Sequence, residues 1–159
     1  MLLGVVSDTH GQVDYALEAV QMLESFEVDV VLHCGDVGST AVVKLFKPWP
    51  THFVVGNVDH AATIRRAVKD AGQTFHNRYG ELTLAGVKIA LLHGDDAKKF
   101  DETVASQEFD LVCYGHTHVP KQQRRGRTLV LNPGALYRAT PHTLAIVTLP
   151  ELSVESIRV

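Results

Sequence analysis

The chain has 159 residues and a formal net charge of -3, so it carries no general electrostatic attraction for nucleic acid or for an anionic membrane. Its length fits one domain spanning residues 1–159, with enough chain to bury a sizeable core. The composition, 45% hydrophobic and 21% charged, is typical of a soluble globular protein.

The apolar runs of the chain lead us to expect a cytoplasmic protein. The first run begins at Leu2, but Asp8 and His10 interrupt it before a signal-peptide core or a membrane span could form. Cys34 and Cys113 have no C-x-x-C spacing and lie in strand-like segments, so we expect two reduced thiols.

The first half of the chain alternates apolar strands with amphipathic helices. The patterns predict strands over 2–7, 28–32 and 52–55, and helices over 14–26, 40–46 and 61–71. Ser39 or Thr40 is the expected N-cap of the second helix, and Asp59 is expected to cap the third.

The second half is richer in strands. A hairpin is predicted at Ala85-Gly86, and the remaining pattern gives strands over 81–84, 87–92, 111–114, 122–124, 128–131, 144–149 and 154–159, with a helix over 97–107. Strands that alternate with helices in the first half, followed by mostly strands in the second, predict an α/β fold. We expect a four-layer sandwich of two mixed β-sheets packed face to face with helices on the outside.

Five apolar runs end in residues that can bind a metal. In open α/β sheets, such groups gather beyond the carboxyl ends of the strands, so five ends can supply one cluster. The two histidines of the last run are two residues apart and can converge on one site. The candidate ligands are Asp8, His10, Asp36, Asn57, His93, His116 and His118.

The donor types indicate a centre of two divalent ions. Two carboxylates, four imidazoles and one amide favour manganese, iron, zinc, nickel or cobalt over copper(I) or a cysteine-bound structural zinc. Seven ligands are too many for one catalytic ion with an open position, whereas two ions sharing a carboxylate would use them all. With one hydroxide the cluster would carry roughly +1, because Asn57 is neutral, and would attract an anionic phosphate.

At these positions the sequence resembles the calcineurin-like metallophosphoesterase superfamily, and within it the small single-domain phosphodiesterase branch, whose fold a retromer scaffold subunit also uses. The resemblance runs through nearly the whole chain, and its motifs occur in the family's order. They are Asp8-Thr9-His10, Gly35-Asp36, Gly56-Asn57-Val58-Asp59, His93-Gly94, Gly115-His116-Thr117-His118 and Asn132-Pro133-Gly134-Ala135.

The resemblance implies a division of the ligands between two ions, with manganese favoured and nickel, iron, zinc or cobalt as alternatives. Asp36 would bridge them. Water acidified by both ions would attack phosphorus in line and hydrolyse a phosphate ester. The first ion would be held by Asp8, His10, Asp36 and His118, and the second by Asp36, Asn57, His93 and His116.

Three positions depart from the family pattern. Val58 stands where many members have a histidine that protonates the leaving group, so His60 is the remaining candidate for a general acid beside the catalytic Asp36 and Asn57. Asp95 replaces a frequent histidine. Ala135 replaces a usual serine and removes one potential hydrogen bond to substrate.

Simpler roles remain open for several motif residues. Asn57 could shape a turn in the left-handed region, and His33 could either orient the site or be a core histidine. The segment Asn132-Pro133-Gly134 could be a plain turn or part of the pocket wall.

The predicted function is hydrolysis of a small phosphate diester by a metal-dependent phosphodiesterase, without a membrane partner. A non-enzymatic binding scaffold on the same fold and a nuclease are the alternatives, and a homo-oligomer is left open. Nucleic acid is not expected as a partner, because the basic run at Lys121, Arg124, Arg125 and Arg127 has no interleaved aromatics and favours a solvated hairpin.

Overall fold

The computed structural model describes residues 1–159 as eleven strands and four helices. The first half contains β1 (Leu2–Val6), α1 (Val13–Ser25), β2 (Val30–His33), α2 (Thr40–Leu45), β3 (Thr51–Phe53), α3 (Ala61–Asp70) and β4 (Thr74–Phe75). The second half contains β5 (Tyr79–Leu84), β6 (Val87–Leu92), α4 (Ala97–Ala105), β7 (Leu111–Cys113), β8 (Lys121–Arg125), β9 (Thr128–Asn132), β10 (Thr143–Thr148) and β11 (Ser153–Arg158).

The strands form two mixed sheets, as predicted. The first has the order β11-β10-β1-β2-β3-β4, in which β1 to β4 are parallel and β10 and β11 are antiparallel. The second has the order β5-β6-β7-β9-β8, with three parallel central strands and an antiparallel strand at each edge. The parallel strands of each sheet therefore end at a common edge, where their following loops meet.

Three separate apolar cores define four layers. Leu3 and Val5 of β1 pack with Ile89 of β6 in the core between the two sheets. A second core lies between the first sheet and α1 to α3, and a smaller one lies between the second sheet and α4. The alternation of side chains along β1 explains this division, since Val5 faces one core and Val6 the other. The predicted sandwich is confirmed.

Most predicted elements are present, with ends shifted by one or two residues. Ser39 caps α2 as predicted, because its Oγ accepts a hydrogen bond from the Val42 N–H at 3.3 Å. The hairpin turn is also confirmed, with Ala85 and Gly86 both at positive φ. Strand β4 was missed because two residues are too short to show a period.

The expected helix cap at Asp59 is wrong. The N-cap residue of α3 is His60, and the Asp59 carboxylate accepts hydrogen bonds from backbone groups outside the helix instead. The residue type was right for a cap, but the loops around it offered three unsatisfied N–H groups.

Two further expectations concern the whole chain. None of the four helices is long and apolar enough to cross a membrane. Cys34 and Cys113 are both buried and unpaired, in agreement with two reduced thiols.

Candidate metal centre

Asp8 follows β1 and is buried, and only one of its two carboxylate oxygens accepts hydrogen bonds. Its Oδ2 accepts hydrogen bonds from Ser7 Oγ at 2.6 Å and from the His116 N–H at 3.1 Å. Its Oδ1 is buried without a hydrogen-bond partner. The carboxylate is thus oriented by its neighbours while one oxygen remains available.

Asp36 follows β2 and lies between two of the candidate histidines. Its side chain is almost fully buried, and its Oδ1 accepts a hydrogen bond from the Val58 N–H at 3.2 Å. Its Oδ2 lies 3.4 Å from His10 Nε2 and 3.3 Å from His93 Nε2. One oxygen of Asp36 therefore faces imidazoles that come from both sheets.

His93 follows β6 in the second sheet and points its Nε2 at the carboxylates of the first. Its Nδ1 donates a hydrogen bond to the Cys34 carbonyl oxygen at 2.8 Å, since a carbonyl can only accept. In the neutral ring, Nε2 then carries the lone pair and finds no hydrogen-bond donor, and only the imidazolium donates from Nε2 to Asp36 Oδ2, 3.3 Å away.

His10 and His118 meet the same carboxylates on the opposite side. His118 Nε2 lies 3.2 Å from Asp8 Oδ1, and His10 Nε2 lies 3.7 Å from the same oxygen. The two rings approach edge to face with centroids 5.3 Å apart. His118 is oriented from behind, because its Nδ1 donates to the Arg138 carbonyl oxygen at 3.4 Å.

His116 and Asn57 complete the predicted set at its exposed rim. The His116 ring packs edge to face on His93, with centroids 5.2 Å apart. Asn57 is exposed and makes no hydrogen bond to the other candidates, although its neighbour Val58 holds Asp36. The structure thus brings five of the candidates into overlapping donor sets, packs His116 on His93 and places Asn57 in the loop beside them.

The side chains fit the binding of divalent cations. Two sets of donor atoms, Asp8 with His10 and His118, and Asp8 with Asp36 and His93, each lie within 4.8 Å of one another. Donors bound at about 2.1 Å to one ion stand roughly 3.0–3.5 Å apart, which matches the shorter contacts here. Lone pairs of unprotonated His93 and Asp36 would repel at 3.3 Å unless a cation lay between them.

Five of the seven candidates have a left-handed backbone conformation. They are Asp8, His10, Asp36, His116 and His118, with φ between 46° and 67°. Such a conformation is costly for residues other than glycine and is concentrated at functional sites. Asn57 is not in this group, so the turn role that was left open for it is not supported.

Two glycines allow the loops to approach the carboxylates closely. A Cβ on Gly56 would stand 2.0 Å from Asp36 Oδ1, and a Cβ on Gly115 would stand 1.9 Å from Ser7 Oγ. Any larger residue would displace these side chains, so the glycines of both motifs serve the centre by leaving space.

The charges of the centre shift the pKa of two groups in opposite directions. Burial alone would raise the pKa of Asp36, but the hydrogen bond and charge of His93, together with the Val58 N–H, lower it. Burial alone would lower the pKa of His93, but the hydrogen bond and charge of Asp36, followed by the charge of Asp8, raise it. The metal-free centre therefore favours an imidazolium next to carboxylates.

His33 lies directly behind the centre and is fully buried. Its Nε2 lies 3.0 Å from Thr9 Oγ1, and the ring stacks on Phe53. Burial, followed by the charge of His93, lowers the pKa of His33 to about 3. It is a neutral core histidine that also contacts the Asp8-Thr9-His10 corner, which combines the two roles left open from sequence.

Sequence reasoning missed how two further residues hold the loops. Asp59 accepts hydrogen bonds from the N–H groups of Val37, Gly38 and Gly56, at 3.0, 2.7 and 3.0 Å, and so joins the loops after β2 and β3. Asn132 donates from Nδ2 to the Gly115 carbonyl oxygen at 2.7 Å. The segment that Asn132 opens therefore supports the histidine loop and is more than a plain turn.

Tyr137 was not singled out from the sequence at all. Its ring lies against His10, with centroids 5.4 Å apart, at the edge of the centre. No motif contains it, and only its position five residues after Asn132 could have suggested it.

The positions that depart from the family pattern lie in different environments. Val58 is 55% exposed, whereas Ala135 is fully buried, so the position of the usual serine lies in the interior. Asp95 is paired with Arg78. His60 is exposed, and its Nδ1 lies 2.8 Å from Thr63 Oγ1, which leaves Nε2 free.

Comparison with known proteins agrees with this geometry. Residues 1–151 match the model of the calcineurin-like phosphoesterase superfamily domain, and the chain belongs to this family. The chain is 28% identical over 138 residues to the phosphodiesterase MJ0936 of Methanocaldococcus jannaschii, covering 84% of this chain and 83% of that protein. It is therefore a phosphoesterase of a family whose members use divalent metal ions.

Solved structures with the same fold include a phosphodiesterase and a Vps29 protein. An archaeal phosphodiesterase superposes with a TM-score of 0.92 at 25% identity, and the match covers 100% of both chains. Vps29 of Entamoeba histolytica in complex with Zn²⁺ superposes with a TM-score of 0.65 at 20% identity, covering 100% of this chain and 98% of that one. The second likeness shows the fold alone.

Proposed function

We propose that this phosphoesterase hydrolyses small phosphate diesters with two divalent ions, manganese foremost. The observation that carries the proposal is the pair of overlapping donor sets around Asp8 and Asp36, each with buried atoms that lack a hydrogen-bond partner. The preference for diesters is supported by the likeness to phosphodiesterases in sequence and in structure. A small phosphate ester is the expected partner.

The proposed division of the ligands follows the family resemblance, and it differs from the two donor sets in sharing Asp36 where they share Asp8. One ion would be held by Asp8, His10, Asp36 and His118, and the other by Asp36, Asn57, His93 and His116. Asp36 is the proposed shared ligand, because its Oδ2 lies close to His10 of one set and His93 of the other.

The bound ions would supply positive charge for the phosphoryl oxygens and a water acidified for attack on phosphorus. The chain's own residues prepare the centre for this role. Hydrogen bonds from Ser7 and the His116 N–H orient Asp8, and one from the Val58 N–H orients Asp36. The hydrogen bond to the Cys34 carbonyl oxygen orients His93. His60 is the proposed proton donor to the leaving group, since it is exposed and its Nε2 is free.

The experiment combines metal content with turnover. Protein loaded with manganese is expected to retain about two ions and to hydrolyse bis(4-nitrophenyl) phosphate. Asp36→Asn should reduce the rate by about 100-fold or more, because a ligand of both ions is weakened. Asp70→Asn is the matched control, since Asp70 is an exposed carboxylate paired with Arg66 on α3.

The outcomes are distinct. Metal binding without turnover in the wild type would contradict the enzymatic function and favour a binding scaffold. If Asp36→Asn and Asp70→Asn kept equal rates, the proposed centre would be wrong. A rate of His60→Ala that fell for alkyl esters, but not for 4-nitrophenyl esters, would support His60 as the acid.

The remaining expectations are part of the same proposal. Residues 1–159 would act as one metallophosphoesterase domain, supported by the family match over residues 1–151. A cytoplasmic location stays a prediction.

A further inference from the structure

A cavity of about 230 Å³ opens beside the metal centre, on the outer face of the second sheet. Two of its residues belong to the loops of the centre: Gly94 directly follows His93, and Thr117 lies between His116 and His118. The other lining residues are Ala97, Phe100, Tyr114, Lys121, Gln123, Arg125 and Val130. The cavity therefore shares two loops with the centre, those that carry His93 and the histidines of the 115–118 motif.

The floor of the cavity is apolar and aromatic. Phe100 of α4 and Tyr114 after β7 pack at a tilt, with ring centroids 4.7 Å apart. The Tyr114 ring also lies against the loop after β6, because a Cβ on Gly94 would stand 3.1 Å from its Cδ2. Tyr114 is 9% exposed and Phe100 is half-buried, so a planar group would pack on the exposed parts of these two rings.

One wall of the cavity is cationic. Lys121, Gln123 and Arg125 alternate along β8, so their side chains share one face of this edge strand. Lys121 and Arg125 are exposed, and neither forms an ion pair with a carboxylate. Arg124 lies on the opposite face and donates to the Arg127 carbonyl oxygen at 3.0 Å.

We propose that this cavity is a substrate subsite that selects a diester arm carrying both a planar ring and a second anionic group. The nucleotide arm of a 5′-phosphorylated dinucleotide has this chemistry. The ring would pack over Phe100 and Tyr114, and the second anion would lie at Lys121 and Arg125. The inference rests on the proposed diesterase function and names the substrate class for the same site.

Size and charge support this assignment. The cavity is smaller than the 300–1,000 Å³ typical of pockets for complete small molecules, so it suits one arm of a ligand whose phosphate is bound elsewhere. The chain is acidic overall, yet this wall places two free cations near a centre that itself attracts phosphate. The aromatics that are missing from the basic segment in sequence are supplied by α4 and by the loop after β7.

The first experiment compares thymidylyl-thymidine with and without a 5′-phosphate, using the manganese-loaded protein. The wild type is expected to prefer the phosphorylated dinucleotide by about tenfold in kcat/KM, the size of one favourable charge pair near a surface. Arg125→Glu should abolish this preference. Arg124→Glu has the same change in net charge on the opposite face of the strand and should keep it.

Hydrolysis of bis(4-nitrophenyl) phosphate separates the two proposals. This substrate has no second anion, so the wild type and Arg124→Glu should hydrolyse it at similar rates. The subsite is wrong, while the diesterase function stands, in either of two cases. In the first, the wild type shows no preference for the phosphorylated dinucleotide, and in the second, both variants show the same preference. If the wild type hydrolyses none of these diesters, the proposed function fails and the substrate class with it.

A binding experiment tests the subsite apart from turnover. Calorimetric titration of the manganese-loaded protein with thymidine 3′,5′-bisphosphate should give a dissociation constant about five- to tenfold weaker for Arg125→Glu than for Arg124→Glu. Equal dissociation constants for the two variants would overturn the proposal, since binding would then not depend on which face of β8 carries the changed charge.

Discussion

His93 Nδ1 donates a hydrogen bond to the Cys34 carbonyl oxygen at 2.8 Å, and this contact joins the two sheets at the metal centre. Cys34 directly follows β2 of the first sheet, whereas His93 directly follows β6 of the second. Because a carbonyl cannot donate, the bond selects the tautomer whose Nε2 lone pair faces Asp36. The buried backbone thus prepares an imidazole for a cation.

Metal affinity is expected to rise with pH through the raised pKa of His93. The neighbouring carboxylates stabilise the imidazolium, so a cation must displace a proton until the pH exceeds this pKa. In the metal-free protein, the same interaction stabilises the fold below pH 6.5 and is lost as the pH rises through the raised pKa. Manganese titrations between pH 6 and pH 8.5 measure the effect, and a flat dependence would contradict it.

The two histidines of the 115–118 motif should act on different ions. His118 contacts Asp8 and His10, whereas His116 packs on His93, so each substitution should weaken one ion more than the other. His118→Ala and His116→Ala are each expected to lower the retained metal from about two ions to about one. Elemental analysis gives the count, and electron paramagnetic resonance of manganese distinguishes a coupled pair from a single ion. Simultaneous loss of both ions in both variants would mean that they bind only together.

Asp59→Asn should destabilise the protein through the loops rather than through α3. The carboxylate accepts three backbone hydrogen bonds, and an amide offers one acceptor oxygen and a donor that would face N–H groups. We expect a loss of about 1–3 kcal/mol in the free energy of unfolding, with weaker manganese binding because the Asp36 and Asn57 loops separate. Urea unfolding measures the first effect, and Asp70→Asn on the surface of α3 is the control. If Asp59→Asn instead lost helix content without a change in manganese affinity, Asp59 would act as the cap of α3 after all.

The metal-free protein should lose stability in acid through His33. The folded-state pKa of about 3 lies below the ordinary value of 6.5, so the unfolded chain takes up a proton first as the pH falls. The stability contribution is complete above pH 6.5 and decreases by up to about 1.4 kcal/mol per pH unit below it. His33→Gln should flatten this part of a stability profile measured by urea unfolding. His142→Gln serves as the control and should leave the slope unchanged.

Most of the fold could be predicted from the sequence because the helical and the strand spacings of its apolar residues are both clear. Strand β6 was predicted with its observed ends, and the Ala85-Gly86 turn was predicted because two residues, one of them glycine, separate two strand-like runs. The order of strands within each sheet was not predicted, since pairing depends on contacts between segments that are distant in sequence.

The cavity beside the centre also depends on contacts between segments that are distant in sequence. The run around Lys121 and Arg125 was interpreted as a solvated hairpin, and β8 is indeed an exposed edge strand. Phe100 and Tyr114 reach it only through the packing of α4 and β7 on the second sheet. A search for interleaved aromatics along the chain could not find them.

The sequence by itself determined the fold class, the family resemblance and the seven candidate ligands, because each ligand follows an apolar run within a short local motif. Only the tertiary structure decided which atoms face one another. It placed Asp36 between histidines from two sheets and put Asp59 across two loops. These relationships depend on non-local packing, which aligns loops far apart in the chain and leaves selected polar atoms buried without partners.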